Sequence, residues 1–148
     1  MKDGQRFLHS IYHEQKELDR LIDLAGTKRM SALPGTLLPK EVQVQTSRRL
    51  DPMGDALAEC ADLTALIEPK VYALRQHRSD AMDMIYKLED PRHRTILLLR
   101  YIKITENGER PSWDEIADAM GHEYRYTLKI HQRAISAFEC VYAAARSV

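Results

Sequence analysis

Residues 112–138 read SWDEIADAMGHEYRYTLKIHQRAISAF, and this stretch decides the fold. Ser112 and Glu115 form a capping box: the serine hydroxyl accepts the Glu115 N–H, and the glutamate side chain accepts the Ser112 N–H. A short helix is therefore predicted to begin here and to end before Gly121. That glycine permits a tight turn, because it adopts the left-handed conformation at low cost. A longer helix is predicted from about Glu123 into the alanine-rich end of the chain.

Both predicted helices have an apolar side and a polar side. Apolar and small residues at helical spacing give the inward faces, namely Ile116, Ala117 and Met120 on the first helix and Thr127, Ile130, Ala134 and Phe138 on the second. The outward face of the second helix then carries Tyr124, Arg125, Leu128, Lys129, Gln132 and Arg133. A capped helix, a glycine turn and a helix with a basic outer face form a helix-turn-helix pattern, which is typical of proteins that read the major groove of DNA.

The charge of the chain limits where DNA could be bound. Lys+Arg 22 balances Asp+Glu 22, which excludes a polycationic wrapper of nucleic acid. Over residues 122–133, by contrast, Arg125, Lys129 and Arg133 outweigh Glu123 and give a local net charge of +2. Any DNA contact must therefore come from a local patch, and residues 122–133 are such a patch. The alternative interpretation of the same pattern is an ordinary helical hairpin with a solvated basic face.

The N-terminal half is predicted to be helical as well. Leu8, Ile11, Leu18, Ile22 and Ala25 predict a helix of about 20 residues that ends at Gly26. Residues 27–50 contain Pro34, Gly35 and Pro39 and are predicted to be a connector. Asp51-Pro52 is a cap-and-proline start for a second helix, whose apolar stripe runs from Leu57 to Leu88. Pro69 must kink or divide this helix. The stripe fits an antiparallel hairpin with the first helix or a coiled-coil contact between two chains.

A second cap-and-proline signal, Asp90-Pro91, opens a third, strongly apolar helix, and residues 103–111 are predicted to be a loop. The predicted fold class is therefore all-α. An N-terminal helical hairpin or coiled-coil-like part is expected over residues 1–89, with a loop at 27–50, and a helix-turn-helix domain over residues 90–148.

Other function classes find little support in the composition. The strongly apolar run at residues 96–99 is far shorter than the roughly 18–20 residues of a membrane span, and a cytoplasmic protein is expected. Cys60 and Cys140 provide neither a disulfide framework nor a zinc site, and both are expected to be buried. His9 and His13 have the i, i+4 spacing of metal ligands but no evident third ligand, so neither a metal nor any other cofactor is expected. No catalytic triad, P-loop or pair of catalytic carboxylates is present, and no enzymatic activity is expected.

The segment LEDPRHRTILLLRYI, residues 88–102, together with residues 112–138, resembles the promoter-reading region four of bacterial sigma factors. It resembles still more closely the same module in small phage and prophage regulators of the ArpU/RinA kind. The shared residues are Arg100-Tyr101, Ile116-Ala117, Gly121 and Ala134-Ile135. The resemblance implies that Tyr124, Arg125, Leu128 and Lys129 contact bases and phosphates. Sigma factors usually carry charged residues at the positions of Tyr124 and Leu128, so their promoter sequence is not the implied target.

The sequence thus predicts a double-stranded-DNA-binding transcriptional regulator, phage or prophage encoded and cytoplasmic in a bacterial host. Its second helix, about residues 123–140, would enter the major groove, while Arg92, Arg94 and the loop at 103–111 approach the DNA backbone. A single module of modest charge should bind weakly, so a homodimer or contact with RNA polymerase is expected to supply the remaining affinity. The alternatives are a small terminase-like DNA-packaging subunit and a protein-binding adaptor that retains the fold.

Overall fold

A computed structural model of the chain describes residues 1–32, 52–103 and 108–147. Every regular element among those residues is helical, which confirms the all-α class. The helices are α1 (Asp3–Ala32), α2 (Pro52–Tyr86), α3 (Pro91–Leu97), α4 (Trp113–Met120) and α5 (Tyr124–Arg146). A π-helical turn, Leu98–Ile102, extends α3 directly.

The first helix is longer than predicted. It passes through Gly26 and ends at Ala32, so the expectation that Gly26 marks its end is wrong. The physical reason is that contacts with α2 continue beyond the glycine. Lys28 forms a 2.6 Å ion pair with Glu59, and such tertiary contacts outweigh the roughly 1 kcal/mol that glycine costs inside a helix. Of the predicted connector, residues 27–32 are thus helical, and the rest lies outside the described residues.

The second helix begins at Pro52, as predicted, and continues through Pro69 to Tyr86 without being divided. Its expected cap, Asp51, lies outside the described residues. The third helix begins as the sequence indicates, because the Asp90 carboxylate accepts the Arg92 N–H at 2.8 Å and Pro91 occupies the first turn. Lys103 and residues 108–112 lie outside helices, in agreement with the predicted loop as far as it is described.

The chain divides into two compact units, and the division differs from the expected boundary after residue 89. One unit contains Met1–Lys16 and Ala73–Val148, and the other contains Glu17–Tyr72. Both long helices therefore contribute one half to each unit. The start of α1 belongs with the C-terminal helices because it is hydrogen-bonded to α5, through Glu139 and the backbone N–H groups of Gly4 and Gln5.

The unit of residues 17–72 is an antiparallel pair of helix segments. The thiol of Cys60 donates to the Ala25 carbonyl at 3.7 Å, and Lys70 pairs with Glu17 at 3.3 Å. Of the two arrangements that the sequence left open for these helices, the antiparallel one is present within the described part of this unit. Leu18 and Cys60 are its buried hydrophobic side chains. Ile22 and Leu57, which were expected in the buried stripe, are instead 47% and 52% exposed, because they lie beside the line of contact between the helices.

The unit of residues 1–16 and 73–148 contains the larger core. Its buried hydrophobic side chains come from all five helices and the π-helical turn: Leu8, Ile11, Leu74, Ala81, Met84, Ile85, Leu88, Ile96, Leu97, Tyr101, Ile102, Ile116, Ala117, Ile130, Ala134, Ile135 and Phe138. This core holds α3 and α4 against α5. Cys140 lies on the exposed side of α5, so its predicted burial is wrong, whereas Cys60 is buried as expected.

Candidate nucleic-acid interface

The turn between α4 and α5 is built from local hydrogen bonds. The capping box at the start of α4 is complete: Glu115 N–H donates to Ser112 Oγ at 3.2 Å, and Ser112 N–H donates to Glu115 Oε2 at 2.9 Å. At the other end Gly121 is left-handed, with φ 71° and ψ 31°. The backbone N–H of Gly121 donates to the backbone carbonyl of Asp118, and the N–H of His122 donates to the backbone carbonyl of Ala117. These bonds fix where α5 begins relative to α4.

The predicted inward residues of α4 and α5 are buried, except for Met120, which is half-buried. Ile116 and Ala117 on α4 face a row on α5 that contains Ile130 and Ala134. Thr127 is the buried polar residue of this row, and its hydroxyl donates to the Glu123 carbonyl at 2.9 Å. That internal hydrogen bond removes the penalty of burying the hydroxyl. Because one side of α5 is buried in the core, the opposite side is exposed to solvent.

The outward face of α5 agrees with the prediction at five of its six positions. Tyr124, 46% exposed, is joined on this face by the exposed side chains of Arg125, Lys129, Gln132 and Arg133. Leu128 is half-buried and forms the edge of the face. We call this set, Tyr124, Arg125, Lys129, Gln132 and Arg133, the basic face.

An open hollow of about 630 Å³ lies beside the basic face. Its lining includes Gly121, Glu123, Arg125 and Lys129. Arg125 and Lys129 are four residues apart, so both project to the same side of the helix. Within the described part of the chain, no hydrogen bond or ion pair engages the side chains of Arg125, Lys129 or Arg133. These cations are therefore available for an external anion.

A second group of side chains, not predicted as a unit from sequence, lies next to this hollow. The Arg92 guanidinium donates to the Tyr126 hydroxyl at 2.7 Å and pairs with Asp90 at 3.1 Å. These bonds from Arg92 hold the pKa of the Asp90 carboxyl below its usual range. The ring of His122 meets Tyr126 edge-on, with centroids 5.0 Å apart. Sequence spacing could not reveal this contact, because Arg92 and Tyr126 are 34 residues apart.

A smaller hollow of about 270 Å³ adjoins these side chains and includes Arg92, Thr95 and His122 in its lining. His122 lines both hollows. One surface therefore extends from the start of α3, across the turn between α4 and α5, to the first two helical turns of α5. Arg92, Arg125 and Lys129 lie along this surface.

Arg94 has a different place from the one expected. It is half-buried, and its guanidinium donates to the Leu88 carbonyl at 2.9 Å. The bond therefore links α3 to Leu88, in the short segment between α2 and α3. This bond engages the Arg94 guanidinium within the chain, whereas the sequence led us to expect it at the DNA backbone.

The Arg100-Tyr101 pair of the resemblance contacts the start of α4 and His131 on α5. Arg100 donates to the Pro111 carbonyl at 2.8 Å, and its guanidinium lies over the Trp113 ring at 4.4 Å. Tyr101 is buried, and its hydroxyl is 2.8 Å from Nε2 of His131. Burial lowers the pKa of His131 to about 4, with the Arg100 charge adding to the shift, so the ring is neutral at pH 7. These residues hold α4 in place and do not form part of the exposed basic face.

His9, which the sequence offers as a candidate metal ligand, contacts other side chains of the protein. His9 Nδ1 is 3.1 Å from Arg110 Nη1, and its ring meets Tyr101 edge-on. Burial, followed by the charge of Arg110, lowers the pKa of His9. Among the described residues, no group of three His, Cys, Asp or Glu side chains is placed to hold a metal ion. None of the described helices combines the length and apolar character required to cross a bilayer.

Comparison with protein-family models, with curated protein sequences and with solved structures finds no match to this chain. The fold and the site define an all-helical protein with an exposed, basic helix face beside a tight turn.

Proposed function

We propose that this chain is a sequence-specific, double-stranded-DNA-binding transcriptional regulator of the phage or prophage ArpU/RinA kind. In this proposal α4, Gly121 and α5 form a helix-turn-helix, and α5 is the recognition helix. The observation that carries the proposal is the basic face, on which Arg125, Lys129 and Arg133 are exposed and have no carboxylate partner among the described residues. Unpaired cations along one side of a helix provide the positive surface that DNA phosphates attract.

The acidic residues of α4 also indicate which side of the protein the DNA duplex approaches. On α4, Asp114 and Asp118 are exposed and lie four residues apart on one side of the helix. Phosphates would repel this acidic side. The favourable approach of the duplex is therefore along α5, with the acidic side of α4 turned away from the phosphates.

Two kinds of contact are proposed. Arg125, in the first turn of α5, reaches base edges in the major groove, because the planar guanidinium can pair with guanine O6 and N7. Arg92, held by Asp90 and Tyr126, and Lys129 contact phosphates, which fix the register of the protein on the duplex. Arg92 keeps further N–H donors beyond those used internally, since a guanidinium has five.

The experiment is selection of bound fragments from a phage genome, followed by fluorescence anisotropy titration of the selected duplex over a range of salt concentrations. We expect the logarithm of the binding constant to fall linearly with the logarithm of salt, because protein cations displace condensed counterions. A shuffled duplex should bind at least about tenfold more weakly. Absence of binding at low salt, or binding that does not respond to salt, would contradict the proposal and favour the protein-binding adaptor.

A further inference from the structure

The antiparallel pair of residues 17–72 has two unlike sides. On one side, ion pairs connect the helices: Glu17 with Lys70 at 3.3 Å and Lys28 with Glu59 at 2.6 Å. These charges are neutralised within the chain. Successive residues of a helix are about 100° apart. The angular positions of the ion-paired residues therefore identify which other residues lie on their side of the pair and which lie on the opposite side.

The opposite side of the pair exposes several large apolar side chains and also carries the exposed carboxylates Asp23 and Glu68. Relative to the buried Leu18 and Cys60, helical geometry places Ile22, Met53, Leu57 and Tyr72 away from the ion pairs. Their exposed fractions are 47%, 43%, 52% and 72%. Ala61 and Ala65, also exposed, lie between them on α2. We call Ile22, Met53, Leu57, Ala61, Ala65 and Tyr72 the apolar side.

The pair buries little hydrophobic surface by itself. Leu18 and Cys60 are its fully buried hydrophobic side chains within the described residues, whereas four large apolar side chains on one side stay open. Helix pairs of this size are usually stabilised by further packing, since so few residues cannot bury enough surface alone.

We infer that the apolar side is the interface with a second copy of this chain, and that the protein is a homodimer through the helix segments of residues 17–32 and 52–72. The four large side chains expose on the order of 400 Å² per copy, about half of the roughly 800 Å² that each partner buries in a standard interface. The alanines and the flanking helix surface would contribute to the remainder.

The chemistry of the apolar side favours a second copy over a different protein. Homodimer interfaces are the more apolar class, and their two-fold symmetry brings one patch against the same patch. The Ile, Met, Leu, Ala and Tyr side chains of one copy can pack against the same side chains of a second copy. The inference does not depend on DNA binding, although a dimer would supply the second recognition helix that a weak single module lacks.

The test is the molar mass of the full chain, measured by light scattering coupled to size exclusion at micromolar concentration. A dimer has twice the chain mass of 17.1 kDa. Ile22→Glu and Leu57→Glu place a charge in the proposed interface, and we expect each to raise the dimer dissociation constant at least about tenfold, equivalent to about 1.4 kcal/mol. Circular dichroism verifies that each variant retains its helical content.

The chain offers a matched control for each variant. Leu24, 44% exposed, and Leu66, 54% exposed, resemble Ile22 and Leu57 in character and exposure but lie on the side of the ion pairs. Leu24→Glu and Leu66→Glu should leave the dimer intact. A monomeric parent protein would overturn the inference and assign the apolar side to another part of the chain or to a different protein. A dimer that all four substitutions disrupt, or none, would also overturn it.

Discussion

The Glu139 carboxylate on α5 accepts the backbone N–H of Gly4 at 3.1 Å, and its second oxygen accepts the N–H of Gln5 at 2.8 Å. The first N–H groups of a helix have no partner inside the helix, and the helix dipole is positive there. A side chain near the middle of α5 therefore caps α1 from a distance of more than 130 residues in sequence. This contact joins the N-terminal segment to the core that positions the basic face.

Replacing Glu139 with alanine should destabilise the protein by about 1–2 kcal/mol, the usual effect of removing a helix cap. Urea denaturation followed by circular dichroism measures the change. Glu89→Ala removes an exposed carboxylate that caps no helix and should change stability by less than about 0.5 kcal/mol. Equal effects of the two substitutions would show that the Glu139 cap contributes nothing specific.

Two glycines of α1 should respond to alanine with opposite signs. A Cβ on Gly4 would lie 3.0 Å from Glu139 Oε1 and 3.1 Å from Cδ1 of the buried Phe138, so Gly4→Ala should destabilise by about 1–2 kcal/mol. A Cβ on Gly26 meets nothing within 4 Å, so Gly26→Ala should stabilise the helix by about 0.5–1 kcal/mol. Thermal denaturation of both variants checks the signs, and destabilisation by Gly26→Ala would show that the helix does not continue there.

The stability of the fold should depend on pH through His131. Its pKa is lowered to about 4 in the folded protein, against 6.5 for an ordinary histidine. Between these values the unfolded chain binds more protons, so stability is lost as pH falls from 6.5 to about 4. The shift predicts a loss of about 2 kcal/mol, allowing for the partial exposure of the ring.

Comparing urea denaturation at about pH 7 and about pH 4.5 measures this loss. Carboxylates also titrate near the lower pH, so the informative quantity is the difference between the parent and His131→Gln. The variant has no imidazole to protonate and should lose less stability on acidification. If parent and variant lose the same amount, His131 is not the group responsible.

Much of the local structure could be predicted from sequence because its causes are local. The Ser112–Glu115 capping box, the Gly121 turn and the Asp90-Pro91 start each depend on residues a few positions apart. The sequence also predicted the composition of the basic face, since the buried row of α5 determines which residues remain outside.

The features that could not be predicted are those set by contacts between distant segments. Gly26 favours a helix end, but contacts of α1 with α2 beyond it extend the helix. The contact of Arg92 with Tyr126 depends on how α3 packs against α5, and the cap that Glu139 provides depends on how α1 packs against α5. Neither is visible in spacing or composition, because both require the tertiary arrangement.

Arg125 and Lys129 are predicted to affect DNA binding in different ways. Arg125→Ala should weaken binding of the selected duplex by about 1–3 kcal/mol and relax preference at one base position, because a bidentate contact to guanine is lost. Lys129→Ala should weaken all sequences alike and reduce the salt slope by about one, because one phosphate contact is lost. Anisotropy titrations with single-base variants of the duplex measure both effects.

Both side chains are exposed and away from the core, so alanine at either position should leave the melting temperature nearly unchanged. Arg20→Ala removes an exposed cation from the unit of residues 17–72 and controls for a general effect of net charge. It should leave affinity and the salt slope close to those of the parent, because Arg20 is not part of the basic face that the proposal places against DNA. Should Arg125→Ala and Lys129→Ala both bind the selected duplex as tightly as the parent, α5 is not the recognition helix and the docking direction is wrong.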